Sequence, residues 1–177
     1  MDAQLEQRLR RMLDEHEIER LIKGYGRAID RADPAELAAI FHPDAVEHHG
    51  TFEGSASGYV DYAINTALPR YDSTSHYLTN CVIHVDGDAA SAETYLLAAH
   101  LRHDDAGNRY LDLMNSRLID KLERRAGAWR IVERTVVQDW DKTEKLEQVE
   151  KWQGVFVRGQ RGTGYLSYAV RAATTAR

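Results

Sequence analysis

Histidines and carboxylates carry most of the chemistry this chain could do: eight His and 28 Asp or Glu among 177 residues. Imidazole titrates nearest neutrality of the ordinary side chains, so it suits proton transfer, and a carboxylate on its far nitrogen fixes the tautomer. Metal chelation is the competing use. His100 and His103 lie three apart in a strand-like stretch, which sends them to opposite faces, and adjacent His48 and His49 diverge for the same reason. With no HExxH and no pair of cysteines, no metal site is expected. Cys81, the single cysteine, sits in the apolar run Leu78–Val85, where a free thiol is a small core hydrophobe, and there is no GxSxG motif. Nucleophilic catalysis therefore has no obvious carrier. Gly24-Tyr25-Gly26 is not a GxGxxG phosphate loop and falls within a helical pattern.

The elements that must position these groups divide the chain in two. Ile18, Leu21, Ile22, Tyr25 and Ile29 keep the spacing of an apolar stripe, predicting a helix from about Asp14 to Arg31. Asp33-Pro34 reads as an N-cap followed by proline in the first turn, opening a short helix through Phe41 that Pro43 ends. A short strand over Ala45–His49, a turn from Gly50 to Gly54 and a third helix over Ser57–Ala67 follow. The period then changes. Thr74–Val85, Ser91–His103, Tyr110–Leu122 and Trp129–Trp140 read as strands, separated by turn compositions at hairpin spacing. Helices followed by an antiparallel meander make an α+β fold, a curved sheet wrapped on the helices as a cone-shaped barrel with one pocket. Residues 1–140 form that cone, and 141–177, a charged, helix-compatible run and then a Gly-rich stretch with tyrosines, form a tail of the same domain, either a lid or an oligomer arm.

Composition narrows the partners. The balance of 23 Lys and Arg against 28 acidic residues gives a net charge of −5, and the basic clusters at Arg8–Arg11 and Arg124–Arg125 are short and diluted by acids. Counterion release needs clustered cations, so a nucleic-acid partner is not expected. No apolar stretch approaches the ~18 residues of a membrane span, and the N-terminus lacks the apolar core of a secretory signal, so the expected location is the cytoplasm.

The stretches EIERLIKGYGRAIDRADPAELAAIFHPDAVEHHG, STSHYLTNCVIHVDGDAASAETYLLAAH and LERRAGAWRIVERTVVQDW resemble the SnoaL-like domains of the nuclear transport factor 2-like superfamily, over roughly residues 14 to 140. That superfamily includes scytalone dehydratase, bile acid 7α-dehydratase, hexachlorocyclohexane dehydrochlorinase, a diarylpropane lyase, polyketide cyclases, ketosteroid isomerase and non-catalytic members, so fold alone does not give reaction. The cofactor-free lyases are the most similar subset. The resemblance implies an Asp at the end of the first helix, Asp30, and a His at the start of the first long strand, His76, as a catalytic pair. Tyr25 matches a tyrosine of the bile acid dehydratase, and Arg134 a basic residue of the dehydrochlorinase. Where two of the dehydratases carry a tyrosine on the leaving hydroxyl, this chain has His49. His100 resembles a dehydratase histidine on the equivalent strand.

The implied activity is a cofactor-independent elimination from a small hydrophobic cyclic or aromatic alcohol, with His76 as base or acid, Asp30 orienting it, and Tyr25 and His49 on the leaving oxygen. Arg134, Asn80, His100, Tyr110 and Tyr59 are the expected substrate-binding residues, and the relatives imply a homo-oligomer, a trimer ahead of a dimer. An isomerase or cyclase using the same pair, and a non-catalytic ligand-binding or assembly domain, are the alternatives. Each residue also has a plain reading. Asp30, near a helix C-terminus where the macrodipole disfavours anions, can pair with Arg27 or Arg31. A histidine at a strand start can lie at the surface or sit satisfied in the core. Tyr25 fits the core, and Arg134 can pair with Glu93 or Asp112 across the sheet. Strand alternation puts His76, Leu78, Asn80, Val82 and His84 on one face, Leu96, Ala98, His100 and Arg102 on one face of the next strand, and Tyr110, Asp112, Met114 and Ser116 on one face of the third.

Overall fold

The structure, a computed structural model, describes residues 2–147 and 154–175. A long helix α1 (Ala3–Arg31) is followed by a short α2 (Pro34–Ala38), strands β1 (Phe41–His49) and β2 (Phe52–Ser55), and α3 (Ala56–Tyr62). A π turn over Ala63–Ala67 and a 3-10 turn over Leu68–Arg70 lead into four long strands, β3 (Ser73–Asp86), β4 (Ala89–His103), β5 (Arg109–Arg125) and β6 (Ala128–Leu146), and α4 (Leu166–Thr175) comes last. The six strands form one curved, unclosed sheet in the order β2-β1-β6-β5-β4-β3. The meander is antiparallel throughout, while β1 joins it parallel to β6, with Glu47 opposite Arg134.

The core lies between α1 and the concave face of the sheet. Ile18, Ile22, Tyr25, Ala28 and Ile29 of α1 pack against Ala92, Leu96, Leu118, Leu122 and Ile131. The apolar stripe thus marks the buried part of α1, but the helix starts at Ala3, well before Asp14. Its first turns are exposed and held by the Asp2 side chain, which accepts from the Gln4 N–H at 3.1 Å, and by the i,i+4 pairs Arg10–Glu6 and Arg11–Glu15. Leu5, Leu9, Met12 and Leu13 keep helical spacing there, but Leu5, Met12 and Leu13 are left exposed.

Other expectations fail for local reasons. The α2 cap is as read, with Asp33 Oδ1 accepting from the N–H groups of Ala35 and Glu36, but the helix stops at Ala38 and Pro43 sits inside β1. Proline is tolerated there because the β1–β6 register breaks between Phe41 and Val46. The Gly50–Gly54 turn shrinks to Gly50-Thr51, since β2 begins at Phe52. The helix expected over Ser57–Ala67 loosens after Tyr62 into the π turn. The chain after Asp141 continues as strand to Leu146, so a division at residue 140 falls inside β6, and the tail's helix is α4. The stretch 148–153 lies outside the described residues.

Alternation on β3 fails for a different reason. A bulge between Leu78 and Cys81 adds a residue, so the inward face runs His76, Leu78, then Cys81, Ile83 and Val85. Val82 is about half exposed. Asn80, an expected pocket residue, lies exposed on the bulge and contributes nothing to the interior. On β4 the expected face is the inner one, with Leu96, Ala98 and His100 buried.

Candidate active site

Asp30 and His76 meet where the last turn of α1 crosses the start of β3. Gly26 allows the approach: a Cβ there would lie 2.6 Å from Leu78 Cδ1 and 3.1 Å from the His76 carbonyl oxygen. One helical turn later, Asp30 Oδ1 lies 2.7 Å from His76 Nδ1, Oδ2 accepts the His76 backbone N–H at 3.0 Å, and Thr74 Oγ1 donates to Oδ1 at 2.9 Å. Three donors on one carboxylate answer the unfavourable helix terminus. Arg27 and Arg31, the alternative partners, are engaged elsewhere: Arg27 with Glu36 and Ser167, Arg31 with the Gln160 carbonyl and the Tyr165 ring. An ionised carboxylate only accepts, so His76 Nδ1 carries the proton and Nε2 is the nitrogen left for a reacting group.

Aromatic and imidazole rings gather beside this pair. The His76 ring is edge-on to Tyr25 with centroids 6.3 Å apart, and lies 5.2 Å from the His100 ring, which in turn sits 4.5 Å from Tyr71. Burial, and then the charge of His76, pushes His100 down to about 4, so at neutral pH it is an uncharged ring. Tyr25 and Tyr59 share a hydrogen bond of 2.7 Å between their hydroxyls. Burial raises Tyr25 to about 12, against the pull of Arg134, and also holds Tyr59 well above the usual phenol range, so both remain phenols. One proton is used between them. The other is left to donate to a third group.

His49 stacks on Tyr59 at 4.8 Å, and its Nδ1 lies 3.1 Å from Glu47 Oε1. Arg134 is fully buried and holds Asp120 with two bonds, 2.6 Å from Nε and 2.8 Å from Nη2, while its guanidinium covers the Tyr25 ring at 4.5 Å. Neither Glu93 nor Asp112 is its partner. Glu93 faces Arg117, and Asp112 binds Arg102 and Thr143. Arg134 is thus a wall of the site behind Tyr25. Tyr110 does not reach the interior: its hydroxyl donates to Asp104 in the β4–β5 turn and its ring lies under Arg102. Two clefts touch the pair from outside. One of about 340 Å³ runs along Asp30, Thr74, Asp72 and Arg161, and one of about 450 Å³ along Lys23, Gly26, His76 and Leu78.

Of the residues expected at the site, the structure brings together Asp30, His76, Tyr25, Tyr59, His49 and His100, sets Arg134 behind them, and leaves Asn80 and Tyr110 outside. Sequence reasoning missed Thr74, Gly26, Glu47 and Asp120. Asp120 was detectable as a carboxylate on the face that carries Ser116, Leu118 and Leu122, and Glu47 as a carboxylate alternating with Ala45 and His49. Among the described residues no group of three or more His, Cys, Asp or Glu is arranged to hold a metal ion, and no helix is long and apolar enough to cross a membrane.

The tail packs on the outer end of α1. Gly162 N–H donates to the Arg31 carbonyl at 2.6 Å, Tyr168 donates to Asp33 Oδ2 at 2.5 Å, and Arg171 pairs with Glu36.

Comparison with known proteins agrees with this fold. No curated protein sequence matches the chain. A hexachlorocyclohexane dehydrochlorinase, LinA type 2, is similar with a TM-score of 0.69 and 22% identity over 80% of this chain and 94% of that one. A type 3 LinA from Novosphingobium barchaimii gives 0.68 and 21%, over 85% and 99%. A candidate scytalone dehydratase from Novosphingobium aromaticivorans gives 0.65 and 21%, over 87% and 95%. At these identities the likeness shows the fold alone. A SnoaL-like domain model matches residues 10–135, the span that contains α1 from Arg10 on, the meander up to Thr135 and every residue gathered around His76, and the chain is therefore a member of the SnoaL-like domain family.

Proposed function

We propose that the chain is a cofactor-independent lyase that catalyses a dehydratase-type elimination on a small hydrophobic cyclic or aromatic alcohol. The contact of Asp30 Oδ1 with His76 Nδ1 at 2.7 Å, beside the Tyr25–Tyr59 hydroxyl pair, carries this reading. His76 Nε2 takes a proton from the carbon next to an activating carbonyl or phenol ring. The C–H electron pair becomes the new double bond, the neighbouring C–O bond breaks, and the departing oxygen takes that same proton back from the His76 imidazolium, leaving as water and restoring the neutral ring. Asp30 balances the imidazolium that forms. The spare hydroxyl proton of the tyrosine pair stabilises the departing oxygen, and His100, uncharged, does not repel the cation on His76. The substrate supplies its own electron sink, so the chemistry needs only proton transfer and hydrogen bonds.

The test is turnover of a panel of β-hydroxyketones and hydroxybenzyl alcohols, followed by ultraviolet absorbance of the conjugated product and by mass spectrometry for loss of water. Asp30→Asn and His76→Gln should each lower kcat by roughly 100-fold or more. Wild-type turnover that survives Asp30→Asn would overturn the assignment. Proton exchange into the substrate without loss of water would move it to the isomerase class.

We also propose that the chain self-associates through the outer sheet face, where Tyr77, Val82, Ile119, Val137 and Trp140 are exposed, as a trimer in preference to a dimer. Light scattering that finds a monomer at micromolar concentration would refute this.

A further inference from the structure

Glu47 is a buried carboxylate that the elimination leaves without a task. It lies on β1 with no exposed surface. Its side chain's only hydrogen-bond contact among the described residues is Oε1 with His49 Nδ1 at 3.1 Å, and Oε2 has no protein partner. Arg134 stands opposite it in the β1–β6 register, but the bidentate bond of that guanidinium goes to Asp120. The buried Arg134 charge offsets part of the cost of burying that carboxylate, but the hydrogen bond of Glu47 goes to His49, whose ring it orients.

We infer that Glu47 is a positioning residue that holds His49 in the Nδ1–H form, so that His49 Nε2 serves as an acceptor for a ligand hydroxyl across the site from His76. The role of that hydroxyl in turnover rests on the lyase reading. The two residues alternate on one face of β1, which sets the carboxylate beside its own imidazole. Beside the Arg134 charge the carboxylate is the acceptor of this bond, which assigns the shared proton to Nδ1 and leaves the lone pair at Nε2. Stacking on Tyr59 fixes the ring plane. His49 keeps about a quarter of its side chain accessible while Glu47 keeps none, so the imidazole is the member of the pair able to meet a ligand.

The same device therefore occurs twice. Asp30 orients His76 and Glu47 orients His49, with the tyrosine hydroxyl pair between the two rings. A ligand that satisfies both acceptors must offer a proton to each: an acidic C–H to His76 and an O–H to His49. A ketone or an ether oxygen in the second position has no proton to give. The site accordingly selects a ring with a free hydroxyl, and a phenol most of all.

Two readouts test this without a known substrate. Imidazole nitrogen spectra of ¹⁵N-histidine-labelled protein should show the neutral His49 ring protonated at Nδ1 in the wild type and at Nε2 in Glu47→Leu. In titrations followed by NMR, the wild type should prefer 2-naphthol over 2-methoxynaphthalene by about tenfold, the worth of one hydrogen bond. Glu47→Leu should bring that ratio close to one. His49→Phe, which keeps the stack on Tyr59, should do the same if Glu47→Leu does not fold. An Nε2–H ring in the wild type overturns the inference, as does equal or absent binding of both probes. A naphthol preference that survives in Glu47→Leu overturns it too. Asp30→Asn should keep the preference while abolishing elimination. A preserved preference with no turnover on any alcohol therefore sinks the lyase reading and leaves the His49 assignment standing.

Discussion

His100 makes the stability of this protein depend on pH in a window that can be worked out in advance. Its ring is 8% exposed and packs on Tyr71 and His76. Burial is the largest cause of its fall from 6.5 to about 4, and the charge of His76 adds to it. The unfolded chain therefore binds a proton at His100 between pH 6.5 and 4 that the folded chain does not. Stability from this residue is fully present above pH 6.5 and is lost as pH falls towards 4, by about 3 kcal/mol in all. Replacing the ring with a group that does not titrate removes that dependence. Urea unfolding of the wild type and of His100→Gln at intervals from pH 7 to pH 4 reads the effect of His100 together with its coupling to His76, because the groups that do not interact with it cancel in the difference. The wild type should lose about 3 kcal/mol more than the variant over this range. Parallel pH profiles would refute the reasoning, and would mean that water reaches His100 or that the ring turns outward when charged.

Two further predictions concern packing. Asp120→Asn leaves the buried Arg134 guanidinium without its carboxylate and should cost about 3–5 kcal/mol, whereas Asp120→Leu combined with Arg134→Met should recover most of that loss, Glu47 limiting the recovery. Chemical denaturation decides it: a double variant at least as unstable as the sum of the two singles would contradict the buried-pair account. Gly26→Ala should destabilise by about 1–3 kcal/mol by forcing α1 away from Leu78 and His76, while Gly24→Ala, whose Cβ meets nothing within 4 Å, should gain about 0.5–1 kcal/mol from helix propensity. Equal effects from the two substitutions would remove the argument for a close α1–β3 crossing.

The meander was legible because hairpin turns and apolar periods are local signals. Asp86-Gly87-Asp88 and Arg125-Ala126-Gly127 announce their turns with Gly87 and Gly127, which adopt positive φ, and Ala126 joins Gly127 in that region against its own preference. The bulge at Thr79 and Asn80 was not legible. Nothing in Leu-Thr-Asn-Cys marks an extra residue, and a single inserted position sent Asn80 outward and Cys81 inward. Arg134 is a similar case. Spacing alone cannot tell which of several acids on neighbouring strands will face it, because the register depends on every bulge between them, and β6 has shifts against β5 at two places. Asp30 and His76 were singled out by resemblance and not by pattern, for they lie 46 positions apart and no local rule connects a helix end to a strand start.

The energetics of that crossing also separate a functional pair from a structural one. A carboxylate in the last turn of a helix opposes the macrodipole, and a residue placed there for stability would be basic. Arg31, one position later, is such a residue, and it binds the tail. Asp30 instead turns inward and collects Thr74 Oγ1, the His76 amide and the His76 ring, all supplied by one strand end that Gly26 allows close to the helix. Thr74 and the amide hold the carboxylate whether or not His76 is an imidazole. What the imidazole adds is a defined tautomer with Nε2 turned away from its partner. A chain that needed only to tie α1 to β3 could do so with a smaller or apolar residue at position 76, at no burial cost for an ionisable ring. That excess of construction over stability is what supports reading the α1–β3 crossing as a place for proton transfer.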